Sequence, residues 1–202
     1  MQTILLIPTQ RGIGLTSASL GLIKALDYSG IKAGFMKPFL QTDDDSKHNS
    51  NASGALAEKA FGIKSPKPIN RHRMERMIGD GHLDDLMEEV VAGHQNLKDD
   101  YDVMVCEGGL VPSADASYAV RVNIALANAL HAHIILVSTA DLQNPEALAD
   151  KLDVHATEFG GLASSRTLGC ILMRVQNVPN VFENQPVAPG QANIDLDDAF
   201  IK

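Results

Sequence analysis

The sequence predicts an α/β fold in which helices cover both faces of a doubly wound parallel sheet of about five strands. Short apolar segments alternate with helical patterns, and glycines or prolines separate neighbouring segments. The apolar segments are continuous rather than alternating, which is typical of parallel strands buried on both faces. In such sheets ligands bind at the carboxyl ends of the strands, so we expect the binding residues in the loops that follow the strands.

Each predicted strand is a short run rich in apolar and β-branched residues, and these runs are 3–7, 32–37, 101–106, 133–138 and 167–173. Segments with apolar residues at helical spacing lie between them, at 15–28, 55–61, 83–97, 118–130 and 145–159. We expect the last helix to begin at Pro145, with Asn144 as its cap. Cys106 and Cys170 fall inside apolar strand segments, which predicts buried residues rather than a disulfide or a metal pair.

The chain is expected to form one domain, residues 1–174, followed by a tail or a linker toward a missing downstream part, residues 175–202. The later segment contains three prolines and little periodicity. A polar stretch around Asp43, Asp44 and Asp45 is expected to be a solvated loop, and cation binding by these aspartates is the alternative.

Composition argues against several classes of partner. The net charge is −8 and aromatic residues make up 4%, so neither phosphate-backbone attraction nor base stacking favours nucleic acid. The basic stretch 70–76 is expected to be a solvated loop or a helix start. With no visible signal peptide and no apolar run of about 18 residues, we expect a cytoplasmic protein without a membrane partner.

Residues 9–17 have the pattern of an altered phosphate-binding loop. The full pattern is G-x-x-x-x-G-K-[ST], in which glycines expose backbone N–H groups, the lysine reaches phosphate oxygens and the hydroxyl binds magnesium. Here Gly14, Leu15 and Thr16 take the places of Gly-Lys-Thr, so the lysine charge is missing. The loop still follows a strand and opens a helix, and the free N–H groups and dipole of that helix favour an anion. The missing lysine disfavours phosphoryl transfer. The alternative is a strand-to-helix turn with a packing role only.

The candidate anion- or nucleotide-binding residues come from this loop and from two strand ends; they are Thr9, Gln10, Arg11, Gly12, Gly14, Thr16, Ser17, Lys37 and Glu107. Lys37 ends the second strand and can reach a phosphate held by the loop. Glu107 ends the third strand, where P-loop enzymes place a magnesium ligand. No catalytic residue is assigned, and Thr16 and Glu107 are the expected metal ligands only if magnesium binds.

Several segments together resemble the N-terminal domain of the long form of bacterial phosphate acetyltransferase. They are residues 4–9, 14–17, 19–21, 37–38, 86–92 and 107–112. The resemblance runs to about residue 174, and Gly-Leu-Thr in place of Gly-Lys-Thr is itself a feature of that domain. It implies a P-loop NTPase-like fold similar to dethiobiotin synthetase.

The resemblance also implies that acetyl transfer between acetyl-CoA and phosphate belongs to a separate domain. This chain would then have a non-catalytic role in regulation and oligomer assembly, with downstream domains of the same polypeptide and further copies as partners. No cofactor is certain; a weakly bound nucleotide or an anionic metabolite is the expected ligand. Met173, beside Arg174, stands where related nucleotide-binding proteins carry an asparagine for the base, which disfavours tight ATP binding. An ATP-dependent ligase of the dethiobiotin synthetase type and a pure protein-interaction module are the alternatives.

Overall fold

In the computed structural model of the protein, the described residues are 1–40, 52–108, 118–140 and 144–175. Their helices and strands follow one another in the order β1 Gln2–Pro8, α1 Leu15–Tyr28, β2 Ala33–Met36, α2 Ala52–Phe61, α3 Arg71–Gly79, α4 Leu83–Gln95, β3 Val103–Glu107, α5 Ala119–Ala129, β4 His133–Thr139, α6 Pro145–Thr157 and β5 Thr167–Met173. The aspartates at 43–45 and residues 176–202 lie outside the described residues.

The strands form one five-stranded parallel sheet in the order β2-β3-β1-β4-β5. β1 is central, with β3 on one side and β4 on the other. Because all the strands run in the same direction, their carboxyl ends share one edge of the sheet. The predicted α/β class with a parallel sheet is confirmed, and this edge brings the end of β1 close to the ends of β2 and β3.

Successive strand residues point to opposite sides of the sheet, and because they are apolar on both sides, helices cover both faces. Leu5 and Ile7 of β1 belong to a core cluster that includes residues of α3, α4, α5 and α6, whereas Leu6 belongs to a cluster with residues of α1 and α2. Leu5 and Leu6 are both fully buried. Burial of each such side chain contributes about 1.5–3 kcal/mol, so β1 holds the two layers together.

Local signals account for most of the element boundaries. α1 and β5 have the bounds that the sequence predicts, and α6 begins at Pro145 with the Asn144 side chain accepting from the Ala147 N–H at 3.1 Å. α2 begins at Ala52, three residues before the predicted start. The basic stretch at 70–76 is mostly helix: Asn70 caps α3 by accepting from the His72 N–H at 2.8 Å.

The prediction that both cysteines are buried is correct for Cys106 and wrong for Cys170, which is exposed. β5 is at the edge of the sheet and pairs with β4. Leu168, two residues before Cys170, is 55% exposed. A continuous apolar run does not distinguish an edge strand from a central one, so the sequence pattern overestimates the burial of this segment.

Candidate anion-binding site

The loop between β1 and α1 has a backbone conformation that depends on its glycines. Gly12 has φ 69° and Gly14, the residue before α1, has φ 88°, both in the left-handed region that favours glycine. Gly14 provides no side-chain cap for α1. The first N–H groups of this helix are therefore not satisfied by a capping side chain, and such groups attract an anion.

A cavity of about 360 Å³ opens beside this loop at the carboxyl edge of the sheet. The residues that line it come from the loop, the start of α1, and the ends of β1, β2, β3 and β5; they are Pro8, Gln10, Gly12, Ile13, Gly14, Leu15, Thr16, Lys37, Glu107 and Arg174. The structure thus brings Gln10, Gly12, Gly14, Thr16, Lys37 and Glu107 of the predicted set to one cavity.

Three of the predicted residues lie beside the cavity rather than in its lining. Thr9 is buried, and its hydroxyl donates to Ser138 Oγ of β4 at 2.9 Å. The side chains of Arg11 and Ser17 are exposed. Thr9 therefore fixes the loop to the sheet, whereas Arg11 and Ser17 face solvent.

Four side chains form a polar network, and three of them, Thr16, Lys37 and Glu107, line the cavity. Lys37 Nζ lies 3.3 Å from Glu107 Oε2 and 3.3 Å from Ser53 Oγ. Ser53 donates to Glu107 Oε2 at 3.0 Å, and its oxygen is 2.9 Å from Thr16 Oγ1. The network joins the end of β2, the end of β3, the first turn of α2 and the first turn of α1.

Glu107 is the most deeply buried charged residue of this network, at 1% exposed. Its Oε2 has an ammonium and a hydroxyl as partners, whereas its Oε1 has no hydrogen-bond partner among the described residues. A buried carboxylate needs both charge compensation and hydrogen bonds. Lys37 supplies the compensating charge, and Oε1 is an acceptor to which no residue of the described ranges donates.

Polar contacts from β4 and α6 also hold the loop. The Gln10 side chain donates to Thr139 Oγ1 at 3.1 Å and accepts from Lys151 Nζ at 2.5 Å. Together with Thr9, these contacts attach the loop to elements more than a hundred residues away in the chain. The cavity wall is therefore formed by the fold itself.

Sequence reasoning missed two residues of the site, Ser53 and Arg174. Ser53 was part of a polar stretch with no local signal that it would reach Glu107. Arg174 follows β5, and its guanidinium donates to the carbonyl oxygen of Gly12. Its position directly after a predicted strand was a signal, because that places it on the ligand-binding edge of the sheet. Arg174 also has φ 55°, which is uncommon for a residue other than glycine and often marks a functional site.

Met173, at the end of β5, also packs against the loop. A Cβ atom added at Gly14 would lie 3.3 Å from Met173 Cε, so the end of β5 packs closely on the start of α1. Within the described ranges no three His, Cys, Asp or Glu side chains come together as a metal cluster, and no helix is long and apolar enough to cross a membrane.

Comparison with known proteins identifies a family and several curated relatives. A family model described as an AAA domain matches residues 2–192. Curated relatives include phosphate acetyltransferases from Acinetobacter baylyi (45% identical over 179 residues, 89% of this chain and 24% of the relative) and from Haemophilus influenzae (35% over 195 residues, 96% and 27%). The chain thus spans about a quarter of the length of these relatives.

Solved structures with the same fold are more distant in sequence. The cell division protein FtsY from Thermotoga maritima has a TM-score of 0.52 at 11% identity, covering 85% of this chain and 52% of that protein. The 54 kDa protein of the signal recognition particle from Aeropyrum pernix, solved in complex with GDP, has a TM-score of 0.51 at 15% identity, covering 76% and 33%. These similarities concern the fold alone. Because the family model matches nearly the whole chain, the chain belongs to the AAA domain family, and its curated relatives make it similar to the N-terminal domain of long bacterial phosphate acetyltransferases.

Proposed function

We propose that this chain is a non-catalytic regulatory domain of a phosphate acetyltransferase and binds a small anionic metabolite at the loop of residues 9–17. The observation that carries the proposal is the combination of an uncapped start of α1 with a lined cavity that contains Lys37 and Arg174. Backbone N–H groups and two cationic side chains favour an anion. Leu15, at the position of the missing lysine, supplies no charge for phosphoryl transfer.

The surroundings of the two cations support binding rather than catalysis. The Lys37 ammonium is engaged by the Glu107 carboxylate, and the Arg174 guanidinium by the Gly12 carbonyl. Phosphoryl transfer depends on cations placed to stabilise charge that develops on the transferred group. Here the Lys37 charge is balanced by Glu107, whereas Arg174 donates to a neutral carbonyl and keeps its net charge, so the lining has charge for an anion but little to spare for a transferred group.

In the whole protein, we propose that acetyl transfer between acetyl-CoA and phosphate takes place in the part that the chain does not span. Binding of a metabolite to this domain would change the activity of that part of the same polypeptide, in a cytoplasmic homo-oligomer. The relatives named above support this view because the chain matches only 24–27% of their length.

Isothermal titration of the 202-residue chain tests the anion site. We expect heat of binding with inorganic phosphate or acetyl phosphate, and no ATP hydrolysis in the presence of magnesium. ATP turnover of about 1 s⁻¹ or faster, within the usual range for enzymes, would refute the non-catalytic assignment and favour a dethiobiotin synthetase-like ligase. If no anion binds or shifts the melting temperature, the loop has only a packing role and a protein-interaction module is favoured.

A full-length phosphate acetyltransferase that carries this domain tests the regulatory role. Gly14→Val puts a β-branched side chain where the backbone is left-handed, which should distort the loop. We expect the variant to retain basal acetyl transfer and to lose its response to the anion. Gly62→Val, at another left-handed glycine that is not part of the cavity lining, is the matched control. Equal responses in the two variants would contradict the proposal.

A further inference from the structure

P-loop proteins hold a magnesium ion between the hydroxyl that ends the loop pattern and an acidic residue at a strand end. The corresponding residues here are Thr16 and Glu107, and Ser53 lies between them. Hydroxyl and carboxylate oxygens are ligands that magnesium accepts, so the donor types alone would fit the ion. The geometry of Lys37 decides whether the position is available.

The Lys37 ammonium already occupies the cation position. Its Nζ is 3.3 Å from Glu107 Oε2 and 3.3 Å from Ser53 Oγ. The side chains are 15% exposed for Lys37 and 2% for Glu107, so solvent and salt screen the pair weakly. A divalent ion between these oxygens would be repelled by the ammonium beside it, unless Lys37 left the carboxylate.

The hydroxyl protons are also committed. Ser53 has one hydroxyl proton and donates it to Glu107 Oε2 at 3.0 Å. Its 2.9 Å contact with Thr16 Oγ1 must then be donated by Thr16. Both protons therefore point along a chain toward Glu107, which a metal bound to the same hydroxyls would have to rearrange.

We propose that Lys37 permanently replaces the divalent cation, so that the site binds its anion without magnesium. The part of this statement that concerns the anion rests on the proposed function; the part that concerns the cation rests on the network alone. Lys37 and Arg174, both in the cavity lining, supply as side chains the positive charge that a metal would bring. Magnesium does not fit this arrangement, although the fold family implies it.

Manganese titration followed by electron paramagnetic resonance tests the cation part, with Mn²⁺ as the probe for a magnesium site. The wild-type 202-residue chain and Lys32→Ala, an exposed lysine just before β2, should bind Mn²⁺ only weakly and equally. Lys37→Ala removes the ammonium and leaves three oxygen-bearing side chains, so it should bind Mn²⁺ at least about tenfold more tightly. A further Glu107→Gln change should abolish that gain, which locates the ion. Circular dichroism checks folding, and Lys37→Gln serves if the alanine variant does not fold.

Phosphate titration of the wild-type chain, with excess chelator or with magnesium, tests the anion part. Equal affinities in the two conditions support the proposal, and a magnesium requirement overturns it. Wild-type Mn²⁺ binding as tight as that of Lys37→Ala, or no gain in any folded Lys37 variant, also overturns it. If phosphate fails to bind in either condition while the Mn²⁺ results are as expected, the proposed anion function fails and the cation role of Lys37 remains.

Discussion

Replacement of Gly108 by alanine should destabilise the protein because this residue lies directly against the central strand. Gly108 follows β3, and its N–H donates to the Leu6 carbonyl oxygen of β1 at 2.7 Å. A Cβ atom added at Gly108 would lie 2.4 Å from that same oxygen and 3.0 Å from Ile7 Cδ1. The closest obstacle is backbone of the central strand, so no side-chain rotation relieves the contact.

The size of the effect follows from that distance. Gly108 and Leu6 must move apart by about 0.6 Å before the contact reaches even 3.0 Å, which is still shorter than an ordinary C···O contact. Inserted atoms in a well-packed region typically cost 1–3 kcal/mol, and a backbone obstacle places this case near about 3 kcal/mol. For a protein of this length that corresponds to a melting temperature about 6 to 12 °C lower.

Thermal melting followed by circular dichroism measures this shift, and Gly21→Ala is the matched control. Gly21 lies in the interior of α1, and an added Cβ there meets nothing within 4 Å. Alanine at that position should stabilise the helix by about 0.5–1 kcal/mol, so its melting temperature should rise. A Gly108→Ala variant that melts within about 2 °C of the wild type would refute the reasoning, because it would mean that β1 and β3 are not packed as closely as described.

Three other outcomes follow from particular side chains. Burial, together with the nearby N-terminal ammonium, lowers the pKa of His94 below its ordinary value of 6.5, so the unfolded chain takes up protons first and the free energy of unfolding should fall as the pH drops below that value. The melting temperature of His94→Gln should fall less than that of the wild type between about pH 7 and pH 5, and an equal fall would contradict this assignment. An aromatic disulfide reagent should react with Cys170 in the folded chain and with Cys106 only after unfolding, because Cys106 is fully buried and burial raises the pKa of its thiol. Rapid reaction of both thiols would show that the sheet opens. Leu15→Lys adds a cation at the start of α1 and should raise the affinity for inorganic phosphate about tenfold in calorimetry, and unchanged affinity would place the anion elsewhere.

The parts of the fold that sequence predicts best are those with local causes. The start of α1 follows from glycines at 12 and 14, and the start of α6 follows from an asparagine cap and a proline. The position of the site was also predictable, because parallel strands gather their carboxyl ends at one edge. The ends of their strands predict Lys37 and Glu107 at that edge, and both line the cavity.

The parts that were missed depend on contacts between distant segments. Ser53 reaches Glu107 across 54 positions, and Arg174 reaches Gly12 across 162 positions. No periodicity or propensity encodes such a pairing. For the same reason the exposure of Cys170 could not be predicted, because it depends on whether a further strand or helix packs against β5, which the pattern of β5 itself does not record.

The hydrogen bond between Arg174 and Gly12 joins the loop of residues 9–17 directly to the residue at which the chain leaves the sheet. Val175 follows immediately, so the polypeptide continues from a point that is fastened to the loop. A ligand that draws the Gly12 carbonyl toward or away from the cavity must either move Arg174 with it or break that bond. Arg174 therefore links the proposed anion site to Val175, and the packing of Met173 beside Gly14 adds a second contact between the same two parts of the chain.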